Sequence, residues 1–97
     1  MNGITFDSKR EAERWQELNI LLRAGVITDL RRQVRYELST TKKINGVTVR
    51  GCSYVADFVY TQNGHTVVED AKGFKTAEYK VKRKWMADKY GILIKET

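Results

Sequence analysis

The sequence predicts an α/β (α+β) domain in which one helix is followed by a three-stranded antiparallel meander, a second helix and an edge strand. Three observations lead there. Ser8-Lys9-Arg10-Glu11 has capping-box spacing ahead of a helically spaced apolar run. Asn63-Gly64, set between runs rich in Val, Tyr, Phe and Thr, is the signal for a two-residue hairpin turn. Thr76 and Gly91 bracket a second helical run as N-cap and terminator. Residues 1–97 form a single domain on this reading, large enough for one sheet and its helices.

The first helix begins at Ser8 and closes at Gly25, with Ala12, Trp15, Leu18 and Leu22, joined by Ile20 and Leu21, as apolar positions. A strand over 30–38 follows, with Leu30, Arg32, Val34, Tyr36 and Leu38 on one face and Arg31, Gln33, Arg35 and Glu37 on the other. Residues 39–53 contain a second turn, Asn45-Gly46, so this part of the meander projects beyond the sheet with Lys42, Lys43 and Arg50 near its tip. Charges there protect an exposed hairpin from aggregation or touch phosphates. Strands over 54–60 and 65–72 flank Asn63-Gly64. The second helix runs from Thr76 to Tyr90, its core stripe made of Ala77, Val81 and Trp85 and widened by Tyr79, Met86 and Tyr90. A strand over 92–95 completes the order.

Closing the hairpin at Asn63-Gly64 sets Gln62 against His65, Tyr60 against Val67, Phe58 against Glu69 and Asp57 against Asp70. Alternation puts Val55, Asp57 and Val59 on one face and Ala56, Phe58 and Tyr60 on the other. Val68, Asp70 and Lys72 share a face opposite Val67, Glu69 and Ala71. Facing acids repel, so a cation is expected between them. A hard divalent ion held by carboxylate, carbonyl and water oxygens fits; it acidifies a bound water, and a lysine on the same face offsets charge on a phosphate. The competing reading is a cross-strand Lys-Asp pair on a half-exposed face, worth at most about 1 kcal/mol. Glu69 points the other way and is expected to be structural or to pair with a lysine.

Asp57, the turn, and Asp70-Ala71-Lys72 resemble the motifs of the PD-(D/E)XK nuclease superfamily, with Ala56 in place of its proline. The likeness extends to the element order over nearly the whole chain, and particularly to small phage-encoded and Holliday-junction resolvase-like members. The resemblance implies a restriction-endonuclease-like core and Mg²⁺- or Mn²⁺-dependent hydrolysis of phosphodiester bonds in DNA, with branched or junction DNA among the substrates. It implies Asp57, Asp70 and Lys72 as catalytic residues, Asp57, Asp70, Ala71 and Glu11 around the metal, and Gln33 approaching the centre. Several such families place a metal-facing glutamate in a helix start like Ser8-Lys9-Arg10-Glu11-Ala12-Glu13; the capping box competes for the same Glu11. A domain of this size cuts one strand per site, so cutting both strands implies a homodimer.

Composition points the same way. A net charge of +6, from 18 Lys and Arg against 12 Asp and Glu, favours a polyanionic partner. Seven Lys and Arg against two acids place +5 of it within residues 71–90. Lys75, Thr76, Lys80, Arg83 and Lys84 there, with Lys42 and Lys43 on the hairpin, form the expected path of a DNA backbone, although such a run also makes a solvated face. One Cys and one His, Cys52 and His65, are too few for an internal disulfide or a zinc pattern. No apolar run approaches the roughly 20 residues of a membrane span, and the start lacks a signal-peptide core, so an intracellular, cytoplasmic protein without a small-molecule cofactor is expected. The rival is a non-catalytic nucleic-acid-binding module, either resembling a double-stranded RNA-binding domain or a degenerate nuclease fold. A double-stranded RNA-binding domain has no use for facing acids and ends with its second helix.

Overall fold

The computed structural model describes residues 5–6, 8–71 and 75–97. Helix α1 spans Lys9–Arg23, and the Ser8 Oγ accepts the Glu11 N–H at 3.2 Å as its N-cap. Gly25, at φ +78°, turns the chain out of it. Leu18 is buried with Trp15 and Leu21 beside it. Ile20 and Leu22 face outward, 61% and 37% exposed, because only the narrow seam Trp15-Leu18-Leu21 reaches the sheet.

Strand β1 is Thr28–Ser39, β2 Lys42–Ile44, β3 Val47–Val49, β4 Cys52–Gln62 and β5 His65–Asp70; helix α2 is Ala77–Tyr90 and β6 is Lys95–Glu96. The main sheet has the order β1-β4-β5-β6, and β2-β3 form a separate ribbon. The β1-β4 and β4-β5 pairs are antiparallel, while β6 runs parallel to β5. The class is thus mixed α and β. The register around Asn63-Gly64 is the expected one: Gln62 opposes His65, Tyr60 opposes Val67 and Phe58 opposes Glu69.

The closing strand starts later than residue 92. Gly91 caps α2 in the left-handed conformation, and the Ile92 N–H returns to the Met86 carbonyl. Ile92 and Ile94 then pack into the core, so pairing begins at Lys95. On α2 the buried seam is Tyr79 and Met86; Val81, Trp85 and Tyr90 are 56%, 39% and 40% exposed, and Ala77 is exposed. Two apolar stripes lie on this helix, and docking against Tyr54 and Leu38 selects the Tyr79 stripe.

The alternation of β1 and β4 does not continue from end to end. Leu30, Phe58 and Tyr60 pack with Leu18 of α1, whereas Val34, Tyr36, Leu38, Tyr54 and Ala56 pack with Tyr79 and Met86 of α2. The inner residues of both strands therefore change sides, β1 at Gln33 and β4 at Asp57. Gln33 adopts φ +51°, uncommon outside glycine, and this reverses the pleat. The expected single face from Leu30 to Leu38, and the grouping of Ala56 with Phe58 and Tyr60, are corrected accordingly. Val59 and Val68 lie on the α2 side, Val67 and Ala71 on the α1 side, so β5 keeps its simple alternation.

Candidate metal centre at the fork of β4 and β5

The β4-β5 ladder ends at Phe58 and Glu69. Beyond that pair a side chain takes over from the backbone: the Asp57 carboxylate accepts the Ala71 N–H at 2.8 Å. Asp57 and Asp70 are 8% and 1% exposed. The Tyr54 hydroxyl donates to Asp70 Oδ2 at 2.7 Å. Burial, first, and then the hydrogen bond and charge of Asp70 push the Tyr54 phenol well above its ordinary range, with Tyr79 and Asp57 adding to the effect. The charges of both aspartates thus act on one buried hydroxyl.

Glu11, only 4% exposed, projects from the first turn of α1. Its backbone N–H belongs to the Ser8 cap, but its carboxylate accepts from Gln33 Nε2 at 3.0 Å and lies 3.5 Å from the Arg32 guanidinium. Arg32 is held in turn over the Phe6 and Trp15 rings, 4.6 and 5.6 Å from their centroids. The β1-β4 register pairs Arg32 with Phe58 and Val34 with Ala56, so Gln33 falls across from Asp57. The expected site residues hence form a row, Glu11 to Gln33 and Asp57 to Ala71 and Asp70. They do not close into one ligand cluster: among the described residues no three His, Cys, Asp or Glu side chains converge as a metal set. The pair Asp57 and Asp70 offers hard oxygen donors beside the Ala71 backbone, the donor chemistry suited to Mg²⁺ or Mn²⁺. Lys72, expected at the same centre, lies outside the described residues.

Glu69, adjacent to Asp70, belongs to a different structure. It is fully buried and is met by Arg14, whose Nε and Nη2 donate to its two oxygens at 2.8 and 2.7 Å. The Tyr60 hydroxyl and Thr97 Oγ1 also donate to it. Burial alone pushes the carboxyl up, and the Arg14 and Tyr60 hydrogen bonds outweigh it, leaving Glu69 below the ordinary glutamate value. Of the two expected roles, structural or lysine-paired, Glu69 takes the structural one, and its cation is an arginine, whose planar fork matches a carboxylate in two bonds.

The basic residues divide. Lys80 and Lys84 on α2 are exposed. Thr76 serves as N-cap, its Oγ1 accepting the Tyr79 N–H at 3.1 Å. Lys75 and Arg83 reach Glu96 of β6 at 4.0 and 3.0 Å, and Tyr79 also donates to that carboxylate. A cleft of about 370 Å³ lined by Ser53, Tyr54, Val55, Thr76, Glu78, Tyr79 and Lys82 opens along this helix. Lys42 and Lys43 lie on the ribbon. Among the described residues no helix is long and apolar enough to cross a membrane.

Tyr54 and Arg32 are the site-building residues that sequence reasoning missed. A buried tyrosine needs a partner for its hydroxyl, which was the available signal for Tyr54, but it names no partner until the strand faces are known. No curated protein and no solved structure matches the chain. A family model does match, over residues 1–96, and the chain belongs to that family, DUF1064, described as a protein of unknown function.

Proposed function

We propose that this chain is a Mg²⁺- or Mn²⁺-dependent endonuclease that hydrolyses phosphodiester bonds in DNA. The observation that carries the reading is the pair of buried aspartates, Asp57 and Asp70, at the point where β4 and β5 stop pairing. Two acids near one hydroxyl in a sheet interior are costly unless a cation offsets them. The order helix, antiparallel meander, helix, parallel edge strand supports a restriction-endonuclease-like core, and β6 gives this chain a strand after α2 that a double-stranded RNA-binding domain lacks.

A divalent cation bound there supplies Lewis acidity and an acidified water. The protein's own contribution is to hold its donors still. The Ala71 N–H fixes Asp57, the Tyr54 hydroxyl fixes Asp70, and Gln33 with Arg32 fixes Glu11 at the α1 end of the row. Lys72 follows Asp70 by two residues and is assigned to the phosphate or the attacking water. Exposed Lys80 and Lys84 track the DNA backbone. Lys75 and Arg83 join them by exchanging Glu96 for phosphate, since partly exposed pairs of this kind are worth only about 0–1 kcal/mol. Cutting both strands or a junction requires a homodimer.

The test is cleavage of linear, supercoiled and four-way-junction DNA with Mg²⁺, with Mn²⁺ and with chelator. Metal-dependent cutting by the wild type that disappears in Asp70→Ala and Lys72→Ala is the expected result. Tight binding without cutting of any substrate, unchanged in both variants, would replace this reading with the binding module.

A further inference from the structure

The β2-β3 ribbon has an uncovered apolar face. Lys42 pairs with Val49, Ile44 with Val47 and Lys43 with Thr48, so alternation gathers Ile44, Val47, Val49 and Lys42 on one side and Lys43 and Thr48 on the other. Ile44, Val47 and Val49 are 54%, 64% and 47% exposed. The three apolar side chains of this face are all β-branched, hence stiff and pre-shaped, and the Ile44-Val47 pair stands immediately beside the turn. Asn45 and Gly46, at φ +50° and +78°, make that turn tight.

The ribbon is also fastened at its neck. Gly51 N–H donates to Thr41 Oγ1 at 3.1 Å and Cys52 N–H donates to Ser39 Oγ at 3.0 Å. The backbone approaches so closely there that a Cβ on Gly51 would sit 2.4 Å from the Ser39 carbonyl oxygen. The radius of gyration, 15.5 Å, exceeds the roughly 13 Å of a compact chain of this length, as a ribbon held away from the sheet requires.

Charge decides what covers the apolar face. Residues 38–56 contain Lys42, Lys43 and Arg50 and not one Asp or Glu. Stacking a second ribbon on it would add that copy's three cations to these with no acid in the segment to offset them. A nucleic acid neutralises all three cations while receiving the apolar tip. A two-stranded ribbon fits a DNA groove, and apolar side chains at the end of a basic arm act as wedges between base steps.

We propose that the β2-β3 ribbon is a DNA-deforming arm: Lys42, Lys43 and Arg50 seat it on the phosphates, and Ile44, with Val47 behind it, wedges against a base step. This rests on the nuclease reading for the identity of the partner, but it concerns binding and deformation rather than hydrolysis.

The experiment uses the full chain with Asp70→Ala to prevent cutting, and a duplex or four-way junction carrying 2-aminopurine, whose fluorescence rises when it is unstacked. The expected result is a rise on binding that Ile44→Ser removes, with affinity about tenfold weaker and the salt dependence unchanged. Lys42→Ser and Lys43→Ser should each lower the slope of log affinity against log salt by about one, with the fluorescence change kept at saturation. Both substitutions lie outside the main sheet, and circular dichroism checks the fold. An unchanged signal when Ile44→Ser is added to Asp70→Ala, with DNA binding equal to that of Asp70→Ala and cutting by the Ile44→Ser single variant equal to wild type, would overturn the arm and leave the nuclease standing. A concentration-dependent dimer dissolved by Ile44→Ser, with DNA binding unaffected, would assign the face to a second copy and likewise overturn the arm. Failure of the wild type to bind DNA would overturn both readings.

Discussion

Glu69 and Asp70 are consecutive in β5 and both essentially inaccessible, and they face opposite sides of the sheet. On the α1 side Glu69 is enclosed by Arg14, Tyr60 and Thr97, and every one of those contacts donates to it. On the α2 side Asp70 receives the Tyr54 hydroxyl and has a second acid, Asp57, acting on the same hydroxyl. A carboxylate closed in by a bidentate guanidinium is spent on the fold. On the proposed reading, the two carboxylates where the ladder ends receive a cation. On that reading the difference separates a structural acid from a functional one more sharply than burial does.

Breaking the structural side should have the largest effect. Arg14→Ala leaves Glu69 buried without its guanidinium, and removing one partner of such a pair typically costs about 3–5 kcal/mol. Denaturant unfolding measures this loss. Asp57→Asn and Asp70→Asn should do the reverse, keeping the fold while lowering cleavage by about 100- to 1,000-fold, or roughly 3–4 kcal/mol of transition-state stabilisation. If Asp70→Asn strongly lowered stability and left cleavage by the folded protein intact, the two acids would have been assigned the wrong way round.

Subtler changes sharpen the comparison. Tyr54→Phe removes a hydroxyl that orients Asp70, and loss of such an orienting bond typically weakens metal affinity about 10- to 100-fold. The Mg²⁺ concentration for half-maximal cleavage should rise accordingly, whereas Tyr60→Phe should leave it unchanged. Tyr60 carries instead a pH signature. Burial first, and then the hydrogen bond to Glu69, push its phenol up to about 12. A raised folded value means a stabilisation fully present below the ordinary phenol pKa of about 10 and lost as pH rises through the folded value. Alkaline unfolding should therefore be less steep in Tyr60→Phe. Glu69 gives the opposite sign: its lowered carboxyl stabilises above the ordinary glutamate pKa and loses that contribution as pH falls through the depressed value. Glu69→Gln should flatten the acid limb. The smallest effect is expected of Gln33→Gly, which relieves a left-handed residue but gives up the bond to Glu11, for a net change within about 1 kcal/mol in stability.

Some of this was legible in the sequence. Asn63-Gly64 specifies a turn whose length leaves one register, and that register brings Asp57 to the level of Asp70. Ser8, Thr76 and Gly91 mark helix ends because their roles depend on local backbone geometry. The change of face at Gln33 and Asp57 was not legible, since a glutamine with positive φ leaves no compositional mark and tertiary packing selects it. The same holds for α2, where Ala77, Val81 and Trp85 match a helical stripe as well as Tyr79 and Met86 do, and only docking on Tyr54 and Leu38 chooses between them. Arg14 as the partner of Glu69 depends on where α1 crosses the sheet. Lys72 lies outside the described residues, so its place at the fork rests on sequence alone.

The most direct measurement is binding of Mn²⁺ in the absence of DNA, followed by electron paramagnetic resonance, in the wild type, Asp57→Asn, Asp70→Asn and Glu13→Gln. The account predicts saturable binding in the wild type and Glu13→Gln, strongly weakened in both aspartate variants while their circular dichroism is unchanged. Equal binding in all four proteins, or none in the wild type, would contradict the assignment of the β4-β5 fork as a metal centre.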